Sequence, residues 1–277
     1  MTPYFRPASL PEALAGLAQG PLVLAGGTDV YPATQAQALT RPVLDITAVT
    51  GLRGITAGPA GLRIGACTTW ADIIAADLPP ACRALQAAAA EVGGPQIQNS
   101  GTIGGNLCNA SPAADGVPPL LVLDAVVELV SARGVRRLAL ADFLTGPRQT
   151  ARQPDELLVA VLIPSAALEG KAAFLKLGAR AYLVISIAMV AVRLVVANGV
   201  VRQAALAVGS CSAVARRLPG VEADLIGAPL AGARIADAAV AAALAPLDDL
   251  RATADYRAGA AAELLRRAVA ELAKGYA

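Results

Sequence analysis

The chain has 277 residues, 56% of them apolar, and its 23 basic and 21 acidic residues give a net charge of +2. This length fits one large domain or two ordinary ones, and the near-neutral charge, without a basic block, argues against binding to nucleic acid or to an anionic membrane. The sequence contains no histidine, which excludes Ser-His-Asp triads, Cys-His dyads and histidine metal sites.

The first part of the chain combines short apolar runs with capped helices. Ser9 followed by Glu12 predicts the start of one helix, and Thr69 followed by Asp72 predicts another. Short apolar runs bounded by Gly and Pro predict strands. The predicted strands lie at 22–25, 42–47, 52–56 and 62–66, and a helix fills 80–92. Residues 120–130 predict a strand with a short helical lead-in, and 138–143 and 156–163 predict shorter elements.

The last hundred residues have a different sequence pattern. After a linker near 166–171, apolar runs predict strands at 171–177, 185–197 and 200–210. Asn198-Gly199 predicts a type I′ turn between the last two strands. Alanine-rich helices follow at 235–244 and 256–274. The whole pattern predicts an α+β fold with a first domain over 1–165, itself two subdomains of about 1–52 and 53–165, and a second domain over 170–275.

The apolar runs show whether the chain could cross a membrane, and the cysteines show whether it could bind a metal. The longest apolar run, residues 183–192, has about half of the ~20 residues that a membrane-spanning helix needs. The N-terminus lacks the apolar core of a signal peptide, so we expect a cytoplasmic chain without a membrane span. Cys67, Cys82, Cys108 and Cys211 do not form CxxC pairs, which argues against zinc or iron–sulfur sites and predicts buried free thiols.

The segment from Gln98 to Pro119 is unusually rich in Gly, Asn, Ser and Thr and poor in charge. It is too long for a turn, and its small residues argue against a helix. We therefore expect an irregular segment held against the body of the protein.

Two glycine loops share one design, AGGTD at 25–29 and TIGGN at 102–106. Paired glycines let a ligand approach the backbone, and successive amides form a concave anion site, so the loops indicate a diphosphate-like ligand. Neither loop fits GxGxxG or carries a Walker lysine. The alternative is that the glycines only make turns. Asp29 and Asp115 are predicted either to bind ribose hydroxyls or to cap local turns.

The order of motifs resembles a known family. LAGGTDVYP, LDIT, RIGACTTWADI, GTIGGNLCNASPAADGVPPLLVLDA, ELLVAVLIP and KLGARAYLVISIAMVAV follow one another as in the FAD-binding medium subunits of molybdenum hydroxylases. That family includes the flavin subunits of carbon monoxide dehydrogenase and xanthine dehydrogenase-type enzymes. The resemblance implies a PCMH-type FAD-binding domain followed by a small α+β C-terminal domain with a three-stranded sheet and helices.

The resemblance also implies the residues that bind FAD. The two glycine loops match the pyrophosphate loops, the ASPxxD element meets the adenosine or ribitol part, and later residues lie near the flavin ring. The implied cofactor-binding residues are Ala25, Gly26, Gly27, Thr28, Asp29, Thr102, Ile103, Gly104, Gly105, Asn106, Ser111, Asp115, Leu158, Lys176 and Tyr182.

The resemblance implies an electron-transfer subunit of a heterotrimeric oxidoreductase. An iron–sulfur small subunit and a molybdenum-cofactor large subunit are the implied partners, and NAD, a quinone or oxygen is the implied acceptor. The cysteine-bearing loop that some relatives insert is absent, so FAD is expected as the only cofactor on this chain, bound noncovalently because there is no histidine for attachment. The alternatives are a flavin-free scaffold subunit and a stand-alone FAD oxidoreductase.

Overall fold

Three β-sheets follow one another along the chain in the computed structural model of the protein, which describes residues 3–34 and 38–276. The N-terminal sheet is parallel, with strand order β1-β3-β2. Its elements are β1 (Tyr4–Phe5), α1 (Leu10–Leu17), β2 (Leu22–Leu24), α2 (Val30–Ala33) and β3 (Val43–Asp45). The predicted capping box forms at the start of α1, where Ser9 accepts from the amide of Glu12.

The central sheet is antiparallel, with strand order β4-β5-β10-β6-β7, and helices cover one of its faces. A short two-stranded ribbon, β8-β9, lies beside it. The elements are β4 (Ile55–Gly58), β5 (Gly61–Gly65), α3 (Trp70–Ala75), α4 (Arg83–Glu91), α5 (Pro95–Ser100), α6 (Ile103–Asn109), α7 (Val117–Val122), β6 (Val126–Ser131), β7 (Gly134–Ala139), α8 (Leu140–Phe143), β8 (Leu144–Gly146), β9 (Gln149–Thr150) and β10 (Leu157–Pro164).

Strand β10 joins the first two sheets. Leu157 and Val159 pack into the core of the N-terminal sheet, whereas Leu158, Val161 and Ile163 pack into the larger central core. A register shift between Leu158 and Ala160 accounts for this change of side, because a bulge re-aims the side chains that follow it.

The C-terminal sheet is buried on both faces. Met189 and Ala191 face the central core, and Val190 and Val192 face a separate core under the last helices, as the two-residue period of a strand requires. The predicted hairpin is present, and Asn198 and Gly199 have φ values of 53° and 72°. The elements are β11 (Lys171–Leu177), β12 (Ala188–Ala197), β13 (Val200–Gly209), β14 (Arg216–Arg217), α9 (Pro219–Leu225), α10 (Asp237–Ala243) and α11 (Ala254–Tyr276).

The predicted three long strands are therefore present, and the two-residue β14 adds a fourth at the edge. The expectation for the segment from Gln98 to Pro119 is wrong. The segment is largely helical, with the end of α5, all of α6 and the start of α7 inside it. Tertiary hydrogen bonds and a threonine cap, described below, override the low helix propensity of its small residues.

Two arginines from the C-terminal sheet hold the end of α7. Arg193 Nε donates to the carbonyl oxygen of Val122 at 2.8 Å, and Arg217 donates to that of Leu121 at 3.0 Å. Arg217 also pairs with Asp124 at 2.8 Å. The last carbonyls of a helix lack intrahelical partners, and cations favour that end. These contacts fix α7 against the C-terminal sheet.

Three of the four thiols are buried as predicted, and Cys108 is exposed. Burial raises the pKa of the Cys67 thiol to about 12. Across the part of the chain that the structure describes, no helix is both long and apolar enough to cross a bilayer. The same residues contain no group of three or more His, Cys, Asp or Glu side chains placed to hold a metal ion.

Candidate cofactor-binding site

The first glycine loop, residues 25–29, lies between β2 and α2 at the carboxyl edge of the parallel sheet. Ligands of parallel sheets commonly bind at this edge. Gly27 has a φ of 73°, a conformation that favours glycine. The amides of Gly26, Gly27 and Thr28 donate no hydrogen bond to any residue that the structure describes. This loop therefore presents free amides of the kind that bind phosphate.

The second glycine loop, residues 102–106, is the first turn of α6, and its amides are already used. Thr102 caps the helix by accepting from the amide of Gly105 at 3.1 Å. The Ile103 amide donates to Thr68 at 3.0 Å, and the Gly104 amide donates to Ala66 at 2.9 Å. The Asn106 amide donates to the carbonyl of Thr102 at 3.0 Å. These four amides therefore already have partners within the protein, and the predicted contacts of this loop with a ligand stay a prediction.

The first loop touches the backbone that leads directly into the second loop. A Cβ atom on Gly26 would lie 2.0 Å from the carbonyl oxygen of Ser100 and 2.9 Å from the Cα atom of Gly101. Gly101 in turn accepts from the amide of Trp70 at 3.1 Å, so the approached backbone is anchored. The absence of a side chain at Gly26 thus brings the loops together, a role that packing gives it independently of any ligand.

Asn106 carries an unsatisfied acceptor. Its Oδ1 atom is buried and has no hydrogen-bond partner among residues 3–34 and 38–276. Leaving such an acceptor unpaired costs about 1–3 kcal/mol, so a donor from outside the protein is the expected partner. A Cβ atom on Gly116 would lie 2.9 Å from this oxygen, which places Asn106 next to the residue that follows Asp115.

A cleft of about 350 Å³ opens beside the first loop, between β2 and β10. Leu158, for which the resemblance implies a place near the flavin, lies on its wall together with Val23 and Cys108. Arg41 and Arg152 bring charge to its rim. Aliphatic walls with a few polar groups are typical of sites that hold a planar ring.

Asp115 and Lys176 form a buried ion pair. Lys176 Nζ lies 2.8 Å from Asp115 Oδ2, and the hydroxyl of Ser186 donates to Asp115 Oδ1 at 2.8 Å. Burial raises the pKa of the Asp115 carboxyl, although the Lys176 charge and the two hydrogen bonds lower it. The pair joins the start of α7 to β11, and Lys176 also lines a second hollow of about 440 Å³.

The remaining predicted residues lie apart from these contacts. The Ser111 hydroxyl accepts from the amide of Ala113 at 3.3 Å, so it stabilises a local turn. Tyr182 is 73% exposed on the segment between β11 and β12, and it is not on the wall of the second hollow. The structure thus brings Ala25 of the first loop together with Leu158 on one cleft, and separately pairs Asp115 with Lys176. Asn106 lies beside Gly116, the residue after Asp115.

Sequence reasoning missed two polar residues beside the first loop. Asn109 Nδ2 donates to Asp29 Oδ1 at 2.7 Å, and the Arg148 guanidinium donates to Asn109 Oδ1. Asn109 ends α6, and Arg148 lies in the turn between β8 and β9. The only sequence signal is that Arg148 follows Gly-Pro in a turn, at a place where glycine or asparagine is usual.

These groups fit a dinucleotide such as FAD. The first loop offers free amides for phosphate, and Asn106 offers an unpaired buried oxygen for a ligand hydroxyl. The cleft that Ala25 helps to line offers an aliphatic surface for a ring. Ile103 and Gly104 of the second loop are buried against the protein, so they anchor that loop to the central unit.

Comparison with known proteins gives the same result. A family model described as the FAD binding domain in molybdopterin dehydrogenase matches residues 1–166. A second model, the CO dehydrogenase flavoprotein C-terminal domain, matches residues 173–272. A solved structure of reconstituted CO dehydrogenase from Oligotropha carboxidovorans superposes with a TM-score of 0.89 at 30% identity, covering 100% of this chain and 99% of that one.

Individual relatives match this chain over different shares of its length. The xanthine dehydrogenase FAD-binding subunit of Escherichia coli O157:H7 is 42% identical over 166 residues, which is 58% of this chain and only 57% of that subunit. The nicotine 6-hydroxylase medium subunit of Paenarthrobacter nicotinovorans is 32% identical and covers 97% of this chain and 96% of that subunit. The chain belongs to the family of FAD-binding medium subunits of molybdopterin dehydrogenases.

Proposed function

We propose that the chain binds one FAD noncovalently and passes electrons from an iron–sulfur partner subunit to an external acceptor. The observation that carries the proposal is the set of free amides at Gly26, Gly27 and Thr28, together with a buried Asn106 oxygen that has no partner among the described residues. FAD, when bound, supplies a carrier that can take up electrons singly and release them in pairs.

The residues of the chain then bind the FAD and orient it. The amides of the first loop hold the diphosphate, and Asn106 accepts a hydrogen bond from a hydroxyl of the ligand. Leu158 and Val23 provide an aliphatic surface for a ring. Asp115 and Lys176 fix α7 to the C-terminal sheet and place a positive charge at the second hollow. Ser111 and Tyr182, which lie apart from these groups in the structure, stay predicted contacts of FAD.

The partners follow from the names of the relatives. Relatives are described as a medium chain of carbon monoxide dehydrogenase and as FAD-binding subunits of other dehydrogenases. We propose a cytoplasmic heterotrimer with an iron–sulfur small subunit and a molybdenum-cofactor large subunit, and NAD, a quinone or oxygen as acceptor. Residues 1–165 form the proposed FAD domain, in two subdomains of about 1–52 and 53–165, and residues 170–275 form the proposed C-terminal domain.

The test uses the complex purified with its partners. Gly27→Val places a β-branched residue at a φ of 73°, and its Cβ would lie 2.4 Å from the Tyr31 ring. This complex should lose FAD and the reduction of its acceptor, whether NAD, a soluble quinone or oxygen. Reduction of the partner's iron–sulfur centres by substrate should continue. Acceptor reduction at the wild-type rate in a complex shown to lack FAD would contradict the proposal.

A further inference from the structure

A chain of polar side chains connects the N-terminal sheet to the central unit beside the first glycine loop. Asp29 follows that loop, and its carboxylate accepts from Asn109 at 2.7 Å. Asn109 accepts in turn from the Arg148 guanidinium. We call these three residues the clasp. Asp29 makes no capping hydrogen bond to α2, so its carboxylate is available to Asn109.

The backbone that presents Arg148 is strained. Arg148 has a φ of 60° in a two-residue turn, and its amide donates to the carbonyl of Ala110 at 2.8 Å. Ala110 is itself left-handed, with a φ of 47°. Non-glycine residues in this region are uncommon, and such strain concentrates at functional sites. Glycine would relieve this strain but would lack the guanidinium that donates to Asn109.

The clasp lies where it can control the first loop. The loop meets the central unit through the close backbone contact of Gly26 with Ser100 and Gly101, and through the bond from Asn109 to Asp29. The amides of Gly27 and Thr28 lie directly before Asp29 in the chain, so movement of Asp29 would move them.

We propose that Asn109 and Arg148 are positioning residues that hold the first glycine loop in its ligand-binding conformation and slow the release of FAD. This inference rests on the proposed function. The clasp is exposed at Asp29 and Arg148, so each bond has the modest strength of surface polar contacts. Its loss should therefore speed FAD release by roughly three- to tenfold rather than abolish binding.

The test measures FAD release from the full chain, followed by the rise in flavin fluorescence after dilution. Arg148→Gly removes the guanidinium and keeps the turn, and Asn109→Ala removes the link. Each should release FAD roughly three- to tenfold faster, and the double variant should release it no faster than either single one, because the residues act as one unit. Arg148→Lys should restore part of the retention.

The matched control is Arg133→Gly, which removes an exposed arginine from the turn between β6 and β7, where it pairs with Asp155. This variant should release FAD at the wild-type rate. Without FAD, Asn109→Ala should unfold at the wild-type temperature, and Arg148→Gly at the same or a higher temperature because glycine relieves the left-handed strain.

The outcomes separate the two proposals. Wild-type protein that binds no FAD, either alone or in the complex with its partners, overturns the proposed function and the clasp with it. FAD that binds normally and leaves Arg148→Gly at the wild-type rate overturns the clasp alone. Faster release in Arg148→Gly that is matched by a lower unfolding temperature without FAD also overturns the clasp, because the effect would then be a general loss of stability.

Discussion

Gly26→Ala should remove most of the bound FAD and lower the free energy of unfolding by about 1–3 kcal/mol. The added methyl group would lie 2.0 Å from the carbonyl oxygen of Ser100, and that oxygen belongs to backbone that cannot turn aside as a side chain would. The first loop must then shift away from the second, and its free amides move with it. FAD per chain, measured by absorbance, and urea unfolding both report the effect.

Gly220→Ala is the matched control. Its added methyl group would meet no atom within 4 Å, and it lies on α9, far along the chain from both loops. This variant should keep full FAD content and unfold at the same or slightly higher urea concentration, because alanine favours a helix over glycine. Wild-type FAD content in Gly26→Ala would show that the contact between the loops does not organise the site.

Lys176→Met should be the most destabilising single change proposed for this chain, lowering the free energy of unfolding by about 3–5 kcal/mol at pH 7. The methionine keeps the volume of the side chain but leaves the buried Asp115 carboxylate without its cation. The double variant Lys176→Met with Asp115→Asn should lose less than Lys176→Met alone, because it no longer buries an unpaired charge. Urea unfolding at fixed pH measures both.

The same pair predicts a pH dependence with a definite sign. Burial already raises the pKa of Asp115, and removing Lys176 takes away a charge that lowers it. A carboxyl whose pKa is raised in the folded state contributes stability at low pH and loses it as pH rises through the folded value. The destabilisation in Lys176→Met should therefore shrink as pH falls from 7 towards 4. An effect that is constant over this range would contradict the assignment of an ionised pair.

The first glycine loop was predictable because its signals are local. Leu22 to Leu24 is a short apolar run, Gly26-Gly27 ends it, and the free amides follow from that turn. The capping boxes at Ser9 and Thr69 and the turn at Asn198-Gly199 were predictable for the same reason. In each case the residues that decide the structure lie within four positions of one another.

The second loop was not predictable because distant residues decide its structure. Thr102 provides a cap that the sequence shows, yet the carbonyls of Ala66 and Thr68 hold the first amides of α6. The pairing of Asp115 with Lys176 joins residues 61 positions apart. The left-handed backbone at Arg148 leaves no clear trace in sequence, since arginine is not the residue that such a turn favours.

Short elements also escaped prediction. The two-residue strands β1 and β14 are too brief to show a period, and α2 has only four residues. The fourth strand of the C-terminal sheet therefore appears only in the structure, where Ala207 and Val208 of β13 pair with Arg217 and Arg216.

The most direct test of noncovalent FAD binding is the visible absorption spectrum of the purified chain, with the supernatant measured again after heat denaturation. The free amides of the first loop and the unpaired Asn106 oxygen predict a flavin spectrum whose chromophore appears in the supernatant. A chain that is colourless, and that stays colourless after incubation with FAD both alone and in the complex with its partners, would contradict the account. Chromophore that stays with the precipitated protein would contradict noncovalent binding.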